Sequence, residues 1–378
     1  MGFKILAINP GSTSTKIALF DGDKEIFKKN VAHKADDLAK FPTVIDQLDY
    51  RVETILAACR ENHVDLSDCD AFVGRGGGLN SCPGGTYEVN AKILEHARRG
   101  GGNHPAALGS QIANKFAKQY GKRAFIVNPP DVDEFQDVAR VTGLHDIFRT
   151  VSIHALNQKE TAIRVAHDLN KTYESCDFIV CHIGGGVSVT AHHQGRMIDS
   201  NGILNGEGPM APTRSGALPA VDLVNLCYSG KWTRDEMYQR ITKTGGFVDH
   251  LGTSDVIEIK KMINDGNQYA RLVYDAFKYQ IVKQIGAMAA ILRGKIDAII
   301  LTGGIANDAD LVRYVTEMVS FLAPVVVRAG EFEMEALAAG ASRVLEGKEE
   351  PKVYSGVPVF NNFEYLKNRL FGKEEEAS

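Results

Sequence analysis

The sequence predicts an α/β protein of two domains. Strand-like and helix-like segments alternate along most of the chain, which is the pattern of sheets covered by helices. A glycine-containing turn between two apolar strands occurs twice, near residue 11 and again near residue 184. The chain has 378 residues, which is long for one small hydrophobic core. We predict domains at 1–150 and 151–345 and a solvated tail at 346–378, and we allow for the final helix to return to the first domain.

Composition narrows the class of partners. The 43 basic and 47 acidic residues give a net charge of −4, so neither nucleic acid nor a membrane surface is an expected partner. The six cysteines include no Cys-x-x-Cys pair and are predicted to be buried thiols rather than disulfides or a zinc site. The N-terminus lacks a signal-peptide pattern, and no apolar run reaches membrane-spanning length. We therefore expect a cytoplasmic protein.

The first turn lies between the apolar strands of residues 5–19. Asn9 ends the first strand, and Gly11 permits backbone conformations that other residues rarely adopt. Four hydroxyl residues occupy positions 12–15, and Lys16 follows. Backbone N–H groups, hydroxyls and an ammonium group together favour anion binding. An ordinary hairpin tip with a solvated lysine is the alternative. A Walker loop is excluded because a strand, not a helix, follows Lys16.

The rest of the first half alternates between helices and strands. Arg75 lies among the glycines of residues 74–78, which would let a ligand approach its guanidinium; a flexible loop with a solvated arginine is the alternative. The predicted elements are a helix at 45–59, a strand at 70–73, a helix from Asn103 to Tyr120, a strand at 123–128 and a short helix at 133–140.

The second half repeats the arrangement. A helix is predicted at 154–169, followed by strands at 177–183 and 187–190 around the glycines at 184–186, so this turn is not a dinucleotide fingerprint, which needs a helix. Arg214 lies in a segment rich in glycine and proline at 205–216. The remaining predicted elements are a capping box at Thr233 and Glu236, a helix at 268–292, a strand at 296–301 opening into a glycine corner, a helix at 308–321, a strand at 325–327 and a final helix at 331–345.

Seven segments, in order along the chain, resemble the acetate kinase family of the sugar kinase, Hsp70 and actin superfamily. The resemblance implies two actin-like (ribonuclease H-like) ATPase domains with a nucleotide cleft between them. It also implies Mg²⁺ with ATP as cofactor, and a homodimer or higher homo-oligomer. The segments are 8–16, 74–78, 153–155, 182–188, 212–216, 301–308 and 330–335.

Site residues follow from the resemblance, position by position. Arg75, His154 and Arg214 match the catalytic residues around the transferred phosphoryl group. Asn9, Ser12, Ser14 and Lys16 match the first phosphate loop; His182, Gly184, Gly185 and Gly186 match the second; and Gly303, Gly304, Ile305 and Asn307 match the adenosine site. Asn9 with Glu331 or Glu333 matches the metal site. His182 has no acidic residue at metal-ligand spacing and is not predicted to bind a metal.

One family position stays open. Where the family has an aspartate at the end of a strand, this chain has Asn128, and acidic residues follow at Asp131 and Asp133. Either one of these carboxylates takes the role or the match slips here.

The resemblance implies reversible phosphoryl transfer between ATP and a short-chain carboxylate, giving acyl phosphate and ADP. A carboxylate is already ionised at neutral pH, so the reaction needs positioning and charge stabilisation rather than a general base. Gly76, Gly77 and Gly102 stand where acetate kinases have larger apolar residues, so missing side chains are predicted to leave space for butyrate or isobutyrate. Gly77, Gly102 and Ile153 are the residues assigned to this acyl pocket. An acetate or propionate kinase is the alternative, and an Hsp70-like or actin-like ATPase is the alternative from another class.

Overall fold

The structure of the protein is a computed structural model that describes residues 2–100 and 104–364. The chain forms two compact units. The first takes the chain up to Glu134, Val141–Phe148 and the chain from Leu337 onward, and the second takes Phe135–Arg140 and Arg149–Ala336. No helix among the described residues is long and apolar enough to cross a membrane.

The first unit contains a six-stranded sheet with strand order β3-β2-β1-β4-β6-β5. Its strands are β1 (Lys4–Pro10), β2 (Ser14–Asp21), β3 (Lys24–Ala32), β4 (Ala71–Gly74), β5 (Thr86–Glu88) and β6 (Arg123–Val127), and its helices are α1 (Ala35–Leu38), α2 (Leu48–Glu61), α3 (Ala91–Gly100) and α4 (Ala107–Tyr120). The core between the sheet and α2 and α4 includes Ile8, Phe72, Ile112 and Phe116, all fully buried. Burial of such apolar surface is the main stabilising term.

The second unit contains a five-stranded sheet with strand order β11-β10-β7-β8-β9. Its strands are β7 (Asp177–Ile183), β8 (Val187–His193), β9 (Arg196–Ser200), β10 (Ala298–Gly303) and β11 (Val325–Ala329), and its helices are α5 (Ala155–Asp168), α6 (Ala220–Cys227), α7 (Arg234–Thr242), α8 (Phe247–Leu251), α9 (Val256–Asn264), α10 (Gln268–Ile291) and α11 (Ala309–Val319). The unit boundary at residues 336 and 337 falls within α12 (Glu333–Leu345).

The two sheets share one plan. In each, three consecutive strands form an antiparallel meander, β1-β2-β3 and β7-β8-β9. Two further strands then extend the sheet in parallel from the first strand of the meander, β4 and β6 in one unit and β10 and β11 in the other. The prediction that the second half repeats the architecture without repeating the residues is confirmed. In both sheets the carboxyl ends of three parallel strands meet at one edge, which is where α/β sheets bind ligands.

Two predictions differ from the structure, and a third falls outside the described residues. Residues 24–32, for which the sequence predicts no strand, form β3; most residues of this strand are exposed at the sheet edge, so it carries no apolar alternation. The short helix at 133–140 is wrong, because only a single 3₁₀ turn forms, at Asp137–Ala139. The start of α4 at Asn103 lies outside the described residues.

The predicted solvated tail is mostly exposed between residues 346 and 364, but one of its residues is buried. Tyr354 is 3% exposed and packs edge-on against Tyr87. Its hydroxyl lies 2.8 Å from the backbone N of Asn80, which donates to it, and 2.9 Å from Nδ1 of His96. One buried aromatic residue thus anchors the stretch after α12 to the first unit.

Candidate active site

The first glycine turn is built as predicted. The backbone N of Gly11 donates to the carbonyl of Ser14 at 2.7 Å, which closes the turn between β1 and β2. Asn9 and Lys16 are cross-strand neighbours at its base. Asn9 is buried, whereas Ser12 and Lys16 are exposed. The turn therefore presents a hydroxyl and an ammonium group to solvent, as an anion-binding hairpin requires.

A buried arginine supports this turn from α2. The guanidinium of Arg51, 0% exposed, donates to the carbonyls of Gly11 and Ser12 at 2.9 and 3.3 Å and to Oγ1 of Thr15 at 3.1 Å. It also donates to Oε1 of Gln47 at 2.8 Å. Burial lowers the pKa of Arg51. Sequence analysis missed this residue, although Arg51 follows Leu48 by three positions and precedes Ile55 by four, which places it on the apolar face of the helix.

Arg75 follows β4 directly, and its backbone N donates to the carbonyl of Ile8 at 2.9 Å. A Cβ atom on Gly109 of α4 would lie 2.0 Å from the Arg75 carbonyl oxygen, so only glycine permits this close approach of helix and strand end. His104 was read only as part of a helix start. Burial and, after it, the charge of Arg75 lower the pKa of His104.

The glycines after Arg75 are packed. A Cβ on Gly76 would lie 2.8 Å from Cβ of Pro129, and a Cβ on Gly77 would lie 3.0 Å from Cβ of Ala106. The expectation that missing side chains leave open space at these two positions is therefore wrong, since neighbouring residues already occupy it. The assignment of Gly77 to an acyl pocket stays a prediction, and Gly102 lies outside the described residues.

The three residues that could take the role of the family aspartate, Asn128, Asp131 and Asp133, have different surroundings in the structure. Asn128 is 5% exposed, and its Oδ1 accepts a hydrogen bond from the backbone N of Gly85 at 2.7 Å, so its amide holds a neighbouring loop. Asp131 accepts from the backbone N of Leu79 at 3.2 Å, while its buried Oδ2 has no partner among the described residues. Burial raises the pKa of Asp131 to about 7, although the hydrogen bond from Leu79 lowers it in part. Asp133 is also buried.

The second glycine turn lies between β7 and β8 and is held in place by Thr213. The backbone N of Gly184 donates to the carbonyl of Gly186 at 3.0 Å, and Oγ1 of Thr213 donates to the carbonyl of Gly185 at 3.0 Å. Arg214 follows, and its Nη1 lies 1.5 Å from where a Cβ on Gly186 would be. Glycine at position 186 thus makes room for the guanidinium.

Arg214 has the properties expected of an anion-binding group. Its Nε and Nη1 atoms are buried and have no hydrogen-bond partner among residues 2–100 and 104–364. Burial lowers the pKa of Arg214. Buried polar groups are almost always hydrogen-bonded, so two unpartnered guanidinium nitrogens beside a glycine turn indicate that a ligand completes this site.

Two histidines lie against the same turn. The rings of His154 and His182 stack with centroids 3.9 Å apart and an interplanar angle of 19°. Nδ1 of His182 lies 3.0 Å from Oδ1 of Asn157, and Nδ1 of His154 lies 2.8 Å from Oγ of Ser188. Ile153, which precedes His154, is 5% exposed. The structure thus brings His154, His182 and Arg214 together around the glycines.

The remaining predicted residues follow β10 and β11. Gly303 has φ +89°, and a Cβ there would lie 2.4 Å from the Ile183 carbonyl, so this corner requires glycine. Gly303 and Gly330 exchange backbone hydrogen bonds of 3.0 Å. After Gly303, a 3₁₀ turn covers Gly304–Asn307, in which Gly304 and Asn307 are exposed and Ile305 is half-buried.

Two glutamates follow Gly330. An oxygen of Glu331 lies 3.9 Å from the ideal Cβ position of Gly184, beside the second glycine turn. Glu333 is the first residue of α12. No group of three His, Cys, Asp or Glu side chains that could hold a metal ion is present in the part of the chain that the structure describes. One carboxylate beside this turn is compatible with Mg²⁺, which is commonly held by one or two carboxylates, water and substrate phosphates.

Comparisons with known proteins identify the family. A model described as the Acetokinase family matches residues 140–329. Butyrate kinase 2 of Clostridium acetobutylicum is 46% identical over 355 residues, which is 94% of this chain and 100% of that protein. This chain belongs to the acetokinase family. Butyrate kinase 1 of the same organism is 45% identical over 353 residues, covering 93% of this chain and 99% of that protein.

A solved structure agrees on the fold. The crystal structure of the Porphyromonas gingivalis acetate kinase matches with a TM-score of 0.76 at 20% identity, covering 91% of this chain and 100% of that chain. At this identity the likeness shows the fold alone, and the predicted actin-like α/β class is confirmed. Acetokinase family membership, inferred from seven short segments, is confirmed as well.

Proposed function

We propose that this chain transfers the γ-phosphoryl group of ATP to the carboxylate of butyrate, forming butyryl phosphate and ADP in a reversible reaction. The observation that carries the proposal is the identity of 45–46% to two butyrate kinases over almost the whole chain. The buried, unpartnered nitrogens of Arg214 beside Gly186 supply a site for the anion that such a reaction requires.

The proposed step is a direct displacement. A carboxylate oxygen of the acid forms a bond to the γ-phosphorus while the bond from that phosphorus to the β,γ-bridging oxygen breaks, and ADP leaves with the electron pair. No proton has to be removed from the acid, because its carboxyl group is ionised at neutral pH. The protein's task is therefore positioning and stabilisation of charge on the transferred group.

We assign that stabilisation to Arg75, Arg214 and His154. Two guanidinium groups can each donate two hydrogen bonds to phosphoryl oxygens, and the imidazole supplies a further donor. Lys16 and the hydroxyls of Ser12 and Ser14 are proposed to contact the ATP phosphates. His182 and Gly184–Gly186 form the second phosphate loop, and Gly303, Gly304, Ile305 and Asn307 the adenosine site.

Mg²⁺ bound to ATP fits the residues present. Glu331 supplies a carboxylate beside the second glycine turn, and Asn9 supplies an amide oxygen at the first; both are oxygen ligands of the kind that Mg²⁺ prefers. We propose Glu331 rather than Glu333, since an oxygen of Glu331 lies 3.9 Å from the ideal Cβ position of Gly184. The ion would neutralise phosphate charge during transfer.

The proposal that the acid is butyrate is supported by the identity to two butyrate kinases, not by the glycines at 76 and 77. Ile153 stays the apolar side chain proposed to contact the acyl group, because it is buried and precedes His154. Each methylene buried there would contribute about 0.8 kcal/mol. An acetate or propionate kinase is the alternative within the family.

We also propose a homo-oligomer. Helix α6 is apolar yet has no buried residue. Within it, Val221 and Val224 are 74% and 54% exposed, and Tyr228, which follows it, is 88% exposed. An exposed apolar patch of this kind marks an interaction surface. The six free cysteines, five of them buried, support a reducing compartment and hence the cytoplasm.

A hydroxylamine trap for acyl phosphate tests the proposal. Acetate, propionate, butyrate, isobutyrate and valerate are each incubated with the protein, ATP and Mg²⁺, and hydroxamate and ADP are measured together. We expect equal amounts of both products and the highest kcat/KM for butyrate or isobutyrate. Release of ADP without hydroxamate would identify an ATPase instead, and a maximum at acetate or propionate would support the alternative substrate.

A further inference from the structure

A row of buried polar side chains leads to His154. The hydroxyl of Tyr173 lies 2.8 Å from Nδ1 of His192, and Nε2 of His192 lies 3.0 Å from Oε1 of Gln158. Nε2 of Gln158 lies 2.7 Å from Oγ of Ser188, which lies 2.8 Å from Nδ1 of His154. The three middle side chains are 0% exposed. We call these five residues the imidazole chain.

The side-chain amide of Gln158 determines which groups donate and which accept hydrogen bonds along the imidazole chain. Its Nε2 also lies 3.2 Å from the backbone carbonyl oxygen of Ser188. A carbonyl oxygen only accepts hydrogen bonds, so the NH₂ group of Gln158 must face Ser188. Its oxygen therefore faces His192, and Nε2 of His192 must carry a proton to donate to it.

The far end of the chain is consistent with this direction. Burial, and after it the charge of Lys159, lower the pKa of His192 well below its usual range. A neutral imidazole with a proton on Nε2 accepts at Nδ1. The hydroxyl of Tyr173 is then the donor to His192.

At the other end of the imidazole chain, Ser188 determines which ring nitrogen of His154 carries the proton. Oγ of Ser188 already accepts a hydrogen bond from Gln158, and its own hydrogen needs an acceptor. Among residues 2–100 and 104–364, Nδ1 of His154 is the acceptor within reach of that hydroxyl. A proton on Nδ1 would leave the hydrogen of a fully buried serine unpartnered, which is unfavourable. Nδ1 of His154 therefore accepts, and its ring proton lies on Nε2.

We propose that Ser188 and Gln158 are positioning residues that hold His154 in the Nε2–H tautomer, so that it donates a hydrogen bond to an oxygen of the transferred phosphoryl group. Cε1 of His154 lies 3.5 Å from the ideal Cβ position of Gly186, where Nη1 of Arg214 also lies. The ring carbon that joins Nδ1 to Nε2 thus lies against the second glycine turn. The tautomer of His154 is inferred from the hydrogen bonds of Gln158 and Ser188, whereas its use in phosphoryl transfer rests on the proposed function.

Nitrogen NMR of the histidine rings tests the tautomer directly. The full-length chain is labelled with ring-¹⁵N histidine, and spectra are recorded without substrate. The chain has 11 histidines, and the signals missing from His154→Gln identify those of His154. We expect a protonated Nε2 and an unprotonated Nδ1. A proton residing mainly on Nδ1 of the wild-type protein would overturn the proposal, whether or not any variant folds.

Ser188→Ala tests the chain, with Ser200→Ala as the matched control. Ser200 is an equally buried serine on β9 whose hydroxyl lies 2.8 Å from Oγ1 of Thr190 rather than near His154. We expect the Nε2–H fraction of His154 to fall in Ser188→Ala and to stay at the wild-type value in Ser200→Ala. Ser188→Thr, which keeps the hydroxyl, should restore it. Equal tautomer fractions in all three would refute the role of Ser188.

Kinetics connects the tautomer to turnover. In Ser188→Ala we expect kcat to fall by about five- to tenfold, the value of one hydrogen bond. KM for ATP should change by less than about twofold, as for an interaction made in the transition state. A normal kcat with a disturbed tautomer would show that His154 does not act through Nε2–H. If no hydroxamate forms even in the wild type, the proposed function fails while the NMR result stands.

Discussion

Nη1 of Arg214 occupies the space that a Cβ atom on Gly186 would need, at 1.5 Å from its ideal position. Gly186→Ala is therefore expected to displace the guanidinium and to lower kcat by about 10³, the lower end of the value of an arginine at a transferred phosphoryl group. Gly185→Ala is the matched comparison, because a Cβ there meets nothing within 4 Å. Its loss of kcat should be much smaller; equal losses in both variants would mean that Arg214 is not the affected group.

Arg214→Ala and Arg214→Lys examine the guanidinium itself. We expect both to lower kcat and kcat/KM together while KM for ATP changes little, since the group acts on the transferred phosphoryl. Lysine should restore only part of the activity, because it lacks the fork of donors that matches two phosphoryl oxygens. Initial-rate kinetics with the hydroxamate assay provides the measurement. A kcat within about threefold of wild type in Arg214→Ala would remove this arginine from the proposed mechanism.

Arg51→Met is expected to loosen the first glycine turn. Removing the guanidinium leaves the carbonyls of Gly11 and Ser12 and the oxygen of Gln47 without their donor. We expect the free energy of unfolding to fall by about 2–4 kcal/mol and KM for ATP to rise. Urea unfolding checks the first effect. Arg60→Met, an exposed position at the end of the same helix, should change stability by less than about 0.5 kcal/mol.

The sequence was informative wherever local chemistry determines the structure. Glycine turns between apolar strands predicted both hairpins, and the Thr233 capping box forms with both of its hydrogen bonds. The edge strand β3 could not be found because exposure removes the apolar alternation on which a strand prediction rests. Tyr354 could not be placed either, since its partners lie more than 250 residues away in sequence.

In the candidate site, too, the sequence predicted some residues and missed others. Motif residues such as Arg214 and His154 could be named from the sequence, but the residues that hold them could not. Ser188 of β8 meets His154 and Gln158 only because the fold brings residues about 30 positions apart together, which no local pattern states. The error at Gly77 arose because a missing side chain was taken for free space, whereas Ala106 of another segment fills it.

Asp131 predicts a pH dependence of stability. Burial raises the pKa of Asp131 to about 7, above the value of about 3.9 in an unfolded chain. Between these values the folded state binds a proton that the unfolded state has lost, so this contribution is present below pH 4 and is lost as the pH rises through 7. Asp131→Asn, which resembles the protonated form, should therefore match wild type near pH 4.

At pH 8 the same variant should be more stable than wild type by about 2–4 kcal/mol. Denaturant unfolding at both pH values measures the difference. Asp137→Asn, at an exposed position, is the control and should show no such pH-dependent gain. A stability difference between Asp131→Asn and wild type that is equal at both pH values would show that this carboxyl does not titrate near 7.

Replacement of His154 by two amides separates its ring nitrogens. The amide nitrogen of glutamine reaches about as far as Nε2 of histidine, whereas that of asparagine reaches only about as far as Nδ1. If the Nε2–H group donates to a phosphoryl oxygen, His154→Gln keeps a donor in place and His154→Asn does not. One hydrogen bond to a charged group contributes about 1.5–3 kcal/mol, so kcat of the glutamine variant should exceed that of the asparagine variant by about 10- to 100-fold. KM for ATP and the free energy of unfolding serve as controls and should be similar in the two variants. A higher kcat in His154→Asn would place the catalytic proton on Nδ1 and contradict the direction of the hydrogen bonds from Gln158 through Ser188.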